Sequence, residues 1–249
     1  MTTSNQIIKW LKDYSNTSGL KTFVVGISGG IDSALTSTLC AESGINTIAV
    51  SMPIHQNQDQ LRRAHNHMSW LDYQYSNVTL KEINLSHVYD TFAMMFADDE
   101  NNLALANSRA RLRMTTLYQI AQTNSGLVVG TGNKVEDFGV GFFTKYGDGG
   151  VDISPIADLM KSEVRAVAKE MGVNEEIILA PPTDGLWGDD RTDEDQLGAT
   201  YDELEWAMNY TGEDWVDPEQ QKIISLYSKL NQANKHKMEP IPVCNIRRN

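Results

Sequence analysis

Residues 22–33 read Thr-Phe-Val-Val-Gly-Ile-Ser-Gly-Gly-Ile-Asp-Ser, and no other stretch constrains the fold as much. Thr22–Val25 is a short apolar run with β-branched residues, the pattern of a strand buried on both faces. Residues 34–40 read as a helix. A glycine-rich turn between a strand and a helix exposes backbone N–H groups at the positive helix end, which is an anion site in physical terms. Gly29 and Gly30 remove the Cβ atoms that would hold an anion away. Ser28 and Ser33 add hydroxyl donors. Asp32 is an odd neighbour for a phosphate, because like charges repel; a divalent cation shared between the two removes the conflict. The string therefore predicts a magnesium–nucleotide site. A plain turn with an N-cap could use Gly-Gly and Asp-Ser, but serines on both sides with Asp at this spacing favour the nucleotide. The Gly-x-x-x-x-Gly-Lys-Ser/Thr pattern is absent.

The rest of the chain alternates in the way a layered α/β fold requires. Ile7, Ile8, Leu11 and Tyr14 recur at helical spacing and predict an opening amphipathic helix. Strand 22–27, helix 31–43, strand 46–51, helix 57–71 and strand 78–85 follow. This βαβαβ order predicts a parallel, doubly wound sheet flanked by helices, with right-handed crossovers. A helix over 87–97, a polar break at 98–102, a long helix over 103–123 and a strand over 127–131 come next. Ligands in such sheets collect at the carboxyl ends of strands, so the loops after residues 27, 51 and 131 are expected to share one cleft. Helices are expected over 161–171, 201–209 and 218–232, the second opened by a Thr200–Glu203 capping box. Residues 181–198, rich in Gly, Pro and Asp, read as a long loop and a candidate lid. No repeat or second domain is visible, and residues 1–249 read as one domain.

Composition narrows the function classes. The formal net charge of −12 disfavours non-specific nucleic-acid or anionic-membrane binding. Cys40 and Cys244 lie far apart and form no Cys-x-x-Cys, so neither a zinc ribbon nor a redox pair is expected, and Cys40 reads as a core residue. No signal pattern opens the chain and no apolar run is long enough to span a bilayer, so a cytoplasmic location is expected.

A second informative block is Gly130-Thr-Gly-Asn-Lys-Val-Glu-Asp137, leading to Phe143-Thr-Lys-Tyr-Gly-Asp-Gly-Gly-Val-Asp152. Taken alone, Glu136 reads as a solvated acid at a helix start. Past a strand end it could instead face Asp32 across the cleft, so that two carboxylates and a triphosphate supply oxygen ligands to Mg²⁺. The Ser-Gly-Gly-Ile-Asp-Ser loop resembles that of the pyrophosphate-loop ATPases, also called adenine-nucleotide alpha-hydrolase-like, which split ATP between its α and β phosphates. With both blocks present, the sequence resembles the ammonia-dependent NAD synthetases over nearly its whole length. The further matches are Asn107-Ser-Arg-Ala-Arg-Leu-Arg-Met114, the Lys161 helix, Ala180-Pro-Pro-Thr183, Thr192–Gly198, Thr200-Tyr-Asp-Glu203 and His236-Lys237.

The resemblance implies roles. Gly26, Ile27, Ser28, Gly29, Gly30, Ile31, Asp32 and Ser33 would hold the ATP phosphates, with Thr131, Lys161 and Thr183 as further ATP contacts. Asp32 and Glu136 would bind Mg²⁺, and Asp32 and Lys161 would carry catalysis. Arg111, Lys145, Asp152, His236 and Lys237 would contact deamido-NAD. The family usually has one residue fewer between its metal-binding Glu and the Thr-Lys-Tyr-Gly string, so Glu136 and Asp137 both compete for the ligand role. Glu136 is favoured by its distance from Thr131. Arg109, Arg111 and Arg113 lie two apart on a helix and cannot all face one way; Arg111 is chosen by resemblance alone. Without the family, His236 and Lys237 read as a solvated tail.

The implied chemistry is attack of the nicotinate carboxylate of deamido-NAD on the α-phosphate of ATP, then attack of ammonia on the resulting acyl-adenylate, giving NAD, AMP and pyrophosphate. No Ser-His-Asp or Cys-His arrangement offers a covalent nucleophile. Glutamine-dependent relatives carry a separate amidase domain that this chain has no room for, so free ammonia is the expected donor. The rivals are another pyrophosphate-loop ligase and a non-catalytic nucleotide-sensing module. The resemblance also implies a homodimer. Val88–Phe96 and Leu103–Ile120, with Phe92, Met94, Met95, Phe96, Met114, Leu117 and Tyr118, carry more apolar surface than one sheet face needs.

Overall fold

The computed structural model describes residues 1–97, 101–183, 185–186 and 191–246. Four strands, β1 (Thr22–Gly26), β2 (Asn46–Ser51), β3 (Val78–Glu82) and β4 (Gly126–Val129), form one sheet in the order β3-β2-β1-β4, with every pairing parallel. Phe23, Val24 and Val25 at its centre are fully buried. Their side chains alternate between two cores, as the strand period of two requires. Phe23 and Val25 pack with Leu11 of α1 (Thr3–Ser18), Leu35 and Leu39 of α2 (Ile31–Glu42), Leu71 of α3 (Gln58–Gln74) and Val164 of α6 (Lys161–Glu170). Val24 packs on the other face with Ile48, Val50, Tyr89 of α4 (Ser86–Met94), and Met114, Leu117 and Ile120 of α5 (Asn102–Thr123).

Two features of this topology position the site. The chain runs outward from β1 through β2 to β3, then returns through α4 and α5 to place β4 on the other side of β1. The crevice between the β1 and β4 loops is therefore the switch point where ligands of such sheets lie. Beyond β4, a third small core gathers Val135, Val140, Leu197, Tyr201 and Leu204. After the short α7 (Glu175–Ile178), it joins α8 (Asp193–Leu197), α9 (Tyr201–Asn209) and α10 (Pro218–Met238) to a π-helical turn at Val135–Val140.

Helix and strand expectations agree with the structure in type, and most ends shift by a few residues. The expected strand over 78–85 stops at Glu82, and the helix expected over 57–71 runs on to Gln74. Helix α10 continues to Met238, because Asp217 caps it and Pro218 opens it while nothing in the sequence stops it at residue 232. His236 and Lys237 thus belong to a helix, not a loose tail. The stretch read as a loop over 181–198 contains α8, whose capping box is Thr192–Asp195 and whose end is left-handed Gly198. The five residues of α8, Asp-Glu-Asp-Gln-Leu, carry one apolar side chain and so show no helical period. Residues 184 and 187–190 of that candidate lid, and 98–100 of the polar break, lie outside the described residues. Met114 and Leu117 pack on the sheet and are not surplus surface, whereas Val88, Met94, Met95, Phe96 and Leu103 stand exposed. Among the described residues no helix is long and apolar enough to cross a membrane.

Candidate active site

The loop ahead of α2 is built to leave its helix end open. Gly30 is the N-cap residue and no side chain caps the first turn, so backbone donors of that turn are available to an anion. The two serines shape the loop by bonding to each other. Ser28 Oγ lies 3.0 Å from Ser33 Oγ, the Ser28 N–H donates to Ser33 Oγ at 3.2 Å, and the Gly30 N–H donates to Ser28 Oγ at 3.2 Å. The glycines differ. Gly29 has φ +86° and rests on the α3 backbone, where a Cβ would overlap the Gln60 carbonyl; at Gly30 a Cβ would only touch Ser28 Oγ. Close packing on α3 demands glycine at the first position.

The charged centre lies where the β1 and β4 loops meet. Lys161, first residue of α6, is buried, and its Nζ is 2.6 Å from Asp32 Oδ2 and 3.1 Å from Glu136 Oε1. Burial pulls the Lys161 ammonium down, but the charges of Asp32 and Glu136 and their hydrogen bonds outweigh it, so the amine is held above the ordinary lysine range. Asn133, wholly buried, fixes both acids. Its Nδ2 donates to Asp32 Oδ1 at 3.0 Å, and its Oδ1 accepts from the Val135 and Glu136 N–H groups at 3.1 and 3.2 Å. Tyr201, also fully buried, donates to Glu136 Oε1 at 2.6 Å and lies face-on to Lys161 Nζ, 4.6 Å from the ring centre. Burial first, then the charges of Glu136 and Asp193, keep its phenol protonated.

Glu136, not Asp137, faces Asp32. The π turn explains how both acids fit. A π turn takes one additional residue into a helical path, and the residue in excess of the family spacing falls beside it. Asp137 is thereby directed to Gly132, which has no room for a Cβ beside that carboxylate. Enclosure by protein pushes the Asp137 carboxyl up to about 8, the charges of Glu136, Asp148 and Asp32 adding to it. Asp148 is exposed, and its Oδ1 accepts a hydrogen bond from the Thr144 N–H at 3.0 Å.

These residues border a cleft of about 260 Å³. The loops after β1, β2 and β4 share it, as their sequence predicted. Residues 26–33, Thr131, Glu136, Lys161 and Thr183 all line it. A smaller cavity of about 160 Å³ adjoins it through a common wall of Gly130, Gly132, Asp137, Phe143, Asp148 and Val151. Lys237 borders this second cavity, and its Nζ donates to the Phe143 carbonyl at 2.8 Å. Burial pulls the Lys237 ammonium down, while Asp148 opposes that pull.

Of the expected dinucleotide residues, Lys237 lines the second cavity, while Arg111, Lys145 and His236 line neither cavity and form a hydrogen-bonded chain outside them. Arg111 Nε donates to the Lys145 carbonyl at 3.3 Å, and Lys145 Nζ to the His236 carbonyl at 2.7 Å. Asp152 lies apart from both cavities; its oxygens accept from Tyr118 Oη at 3.0 Å and from the Val128 N–H at 2.8 Å. Sequence reasoning missed Asn133, Tyr201 and Arg63 and passed over Arg113 in favour of Arg111; all four are tied to the site. Arg113 lines the cleft and donates to the Met52 carbonyl at 3.1 Å and to Gln56 Oε1 at 2.9 Å. Arg109 donates to the Leu186 carbonyl at 2.8 Å and stacks on Tyr89. The helical offset separated these two from Arg111 but did not say which pair turned inward.

Two acids thus converge on one buried cation beside an open helix end. The donor set fits Mg²⁺: hard carboxylate oxygens from Asp32 and Glu136. Among the described residues no group of three or more His, Cys, Asp or Glu is arranged to hold a metal.

The family model "NAD synthase" matches residues 3–240. The chain belongs to the NAD synthase family. It is 42% identical over 203 residues to the NH(3)-dependent NAD(+) synthetase of Mesoplasma florum, 80% of each chain being covered. Among solved structures it is similar to the NMN synthetase from Francisella tularensis, with TM-score 0.88, 30% identity and 98% of each chain covered. It is also similar to the NH3-dependent NAD synthetase from Campylobacter jejuni, with TM-score 0.80, 26% identity and 98% of each covered. The parallel sheet and its helical layers are thus those of NAD synthases.

Proposed function

We propose that this NAD synthase joins ammonia to the nicotinate carboxylate of deamido-NAD at the cost of ATP, releasing NAD, AMP and pyrophosphate. The observation that carries the proposal is the convergence of Asp32, Glu136 and Lys161 beside the open end of α2, in one cleft with Thr131 and Thr183.

Residues 26–33 hold the ATP phosphates by backbone N–H groups, and Lys161 places a positive charge where negative charge builds up. Asp32 and Glu136 hold Mg²⁺, which when bound neutralises phosphate charge and makes pyrophosphate a better leaving group. The nicotinate oxygen attacks the α-phosphorus as the bond to the bridging oxygen breaks, and pyrophosphate departs with that electron pair. Ammonia then adds to the acyl carbon, AMP leaves with the electrons of the carbon–oxygen bond, and the surplus proton passes to a base. Asp137 and Asp148 stand in the wall between the two cavities. Rate enhancement here is mainly positioning and electrostatics.

The acceptor enters from the second cavity and its rim, with Lys237, Lys145, His236 and Arg111 meeting its phosphates and ribose. Asp152 contributes by orienting the edge beside β4. The likeness to the Francisella NMN synthetase favours a second reading, in which deamido-NMN is the acceptor at the same site. The exposed apolar residues of α4 and the start of α5 support a homodimer, and soluble substrates of this kind place the enzyme in the cytoplasm.

Purified protein with ATP, Mg²⁺, ammonium and either acceptor tests the proposal. Formation of NAD with stoichiometric AMP is expected, and glutamine should not replace ammonium. A faster reaction with deamido-NMN would move the assignment to the second reading; no AMP with either acceptor would refute both.

A further inference from the structure

Arg63 of α3 is fastened to the anion loop by its own backbone contact. Arg63 Nε donates to the Gly29 carbonyl at 3.2 Å, at the point where Gly29 packs on the helix. The half-buried guanidinium lines the main cleft. Its neighbour Arg62 spends its charge on Glu176 at 2.6 Å and Asp59 at 3.3 Å. Arg63 has no carboxylate partner among the described residues.

The charges around it make that cation useful. Asp32, Glu136, Asp137, Asp148 and Asp193 all line the cleft. Lys161 is already committed to two of them. A polyanion entering this acidic cleft needs positive charge that no acid has claimed. The sheet order places α3 on the β2 side of the β1 loop and the shared wall of the two cavities on the β4 side. Arg63 therefore flanks the loop opposite to the acceptor.

We propose that Arg63 is a phosphate-binding residue. Its Nη groups bind the phosphates held over residues 28–33, those that leave as pyrophosphate. Its Nε masks the Gly29 carbonyl, whose lone pairs would otherwise repel them. The planar fork suits this division, since a donor on Nε leaves the Nη edge for a bidentate phosphate. The assignment rests on the ATP site proposed above and adds a residue to it.

Calorimetry on the full chain without turnover provides the test, with inorganic pyrophosphate, a non-hydrolysable ATP analogue and adenosine as probes. Arg63→Gln should weaken pyrophosphate binding about tenfold, the worth of a charged hydrogen bond, and flatten its salt dependence. Adenosine binding should not change. Arg63→Lys should recover part of the loss, and if Arg63→Gln fails to melt cooperatively this variant's pyrophosphate affinity and salt slope decide. In turnover, KM for ATP should rise while KM for the acceptor holds. Wild-type pyrophosphate affinity in a folded Arg63→Gln variant, or equal loss of adenosine, would leave Arg63 as a loop support only. If the wild type binds pyrophosphate and the ATP analogue no better than background, the ATP site itself fails, which is a different result from a silent Arg63.

Discussion

Tyr201 gives its phenolic hydrogen to Glu136 Oε1 across 2.6 Å, although 65 residues separate them. The bond joins the small core under α9 to the acid that faces Asp32. Tyr201→Phe keeps the packing and removes the donor, so stability should fall by only about 1 kcal/mol. Glu136 then loses its orientation, and the Mg²⁺ concentration for half-maximal activity should rise several-fold, read from a magnesium activation curve. An unchanged curve would show that Tyr201 serves packing alone.

Lys161→Met should be inactive and less stable by roughly 3 kcal/mol, because it leaves Asp32 and Glu136 facing each other without their cation. Mg²⁺ should raise the Tm of this variant more than that of the wild type, since the metal can take the vacated charge. Equal Mg²⁺ shifts in thermal melts would argue against Asp32 and Glu136 as a metal pair.

Asp137 separates stability from activity. Its carboxyl is held at about 8 in the fold, well above 3.8. A raised carboxyl pKa means that stability is lost as pH climbs from the unfolded value toward the folded one. Asp137→Asn should therefore raise Tm at pH 8 and leave it nearly unchanged at pH 4. Glu136→Gln should abolish turnover and Asp137→Asn should leave Mg²⁺ dependence intact. The opposite pattern would reassign the metal ligand.

His67 gives a pH test of the fold itself. It is buried on Ser37, Nε2 to Oγ at 2.9 Å, and burial lowers its pKa to about 4 from 6.5, against a backbone hydrogen bond at Ala34. A depressed histidine pKa contributes stability above 6.5 that is lost as pH falls toward 4. The loss should approach about 3 kcal/mol. Urea unfolding of His67→Gln should lack this part of the slope; parallel curves for variant and wild type would contradict it.

Replacing Met94 and Phe96 together by Glu should dissociate a dimer while leaving the sheet intact, because both side chains are exposed in the single chain. Light scattering measures the outcome. A wild type that is monomeric at assay concentrations would remove the need for a partner.

The parallel sheet and the anion loop were legible because strand period, glycine turn and helix followed one another within a dozen residues or so. The charged centre was legible only in part. Asp32 and Glu136 carried spacing signals, but Asn133 and Tyr201 sit in short polar strings where nothing local marks a buried donor. Their roles come from contacts across 101 and 65 residues. The π turn was hidden for a related reason. Val135–Val140 has no period of its own, and the surplus residue showed only as two acids competing for one place.

The Lys161–Asp32 contact spans 129 residues, and this sets an order on synthesis. Both acids leave the ribosome before the lysine that neutralises them, and Tyr201 comes later still. A chain halted before α6 carries Asp32 and Glu136 without the cation they share, and it lacks Val164 and Val167 of the core that backs the anion loop. Neutralising the charged centre and closing the core beneath it are thus one event, completed by the same helix.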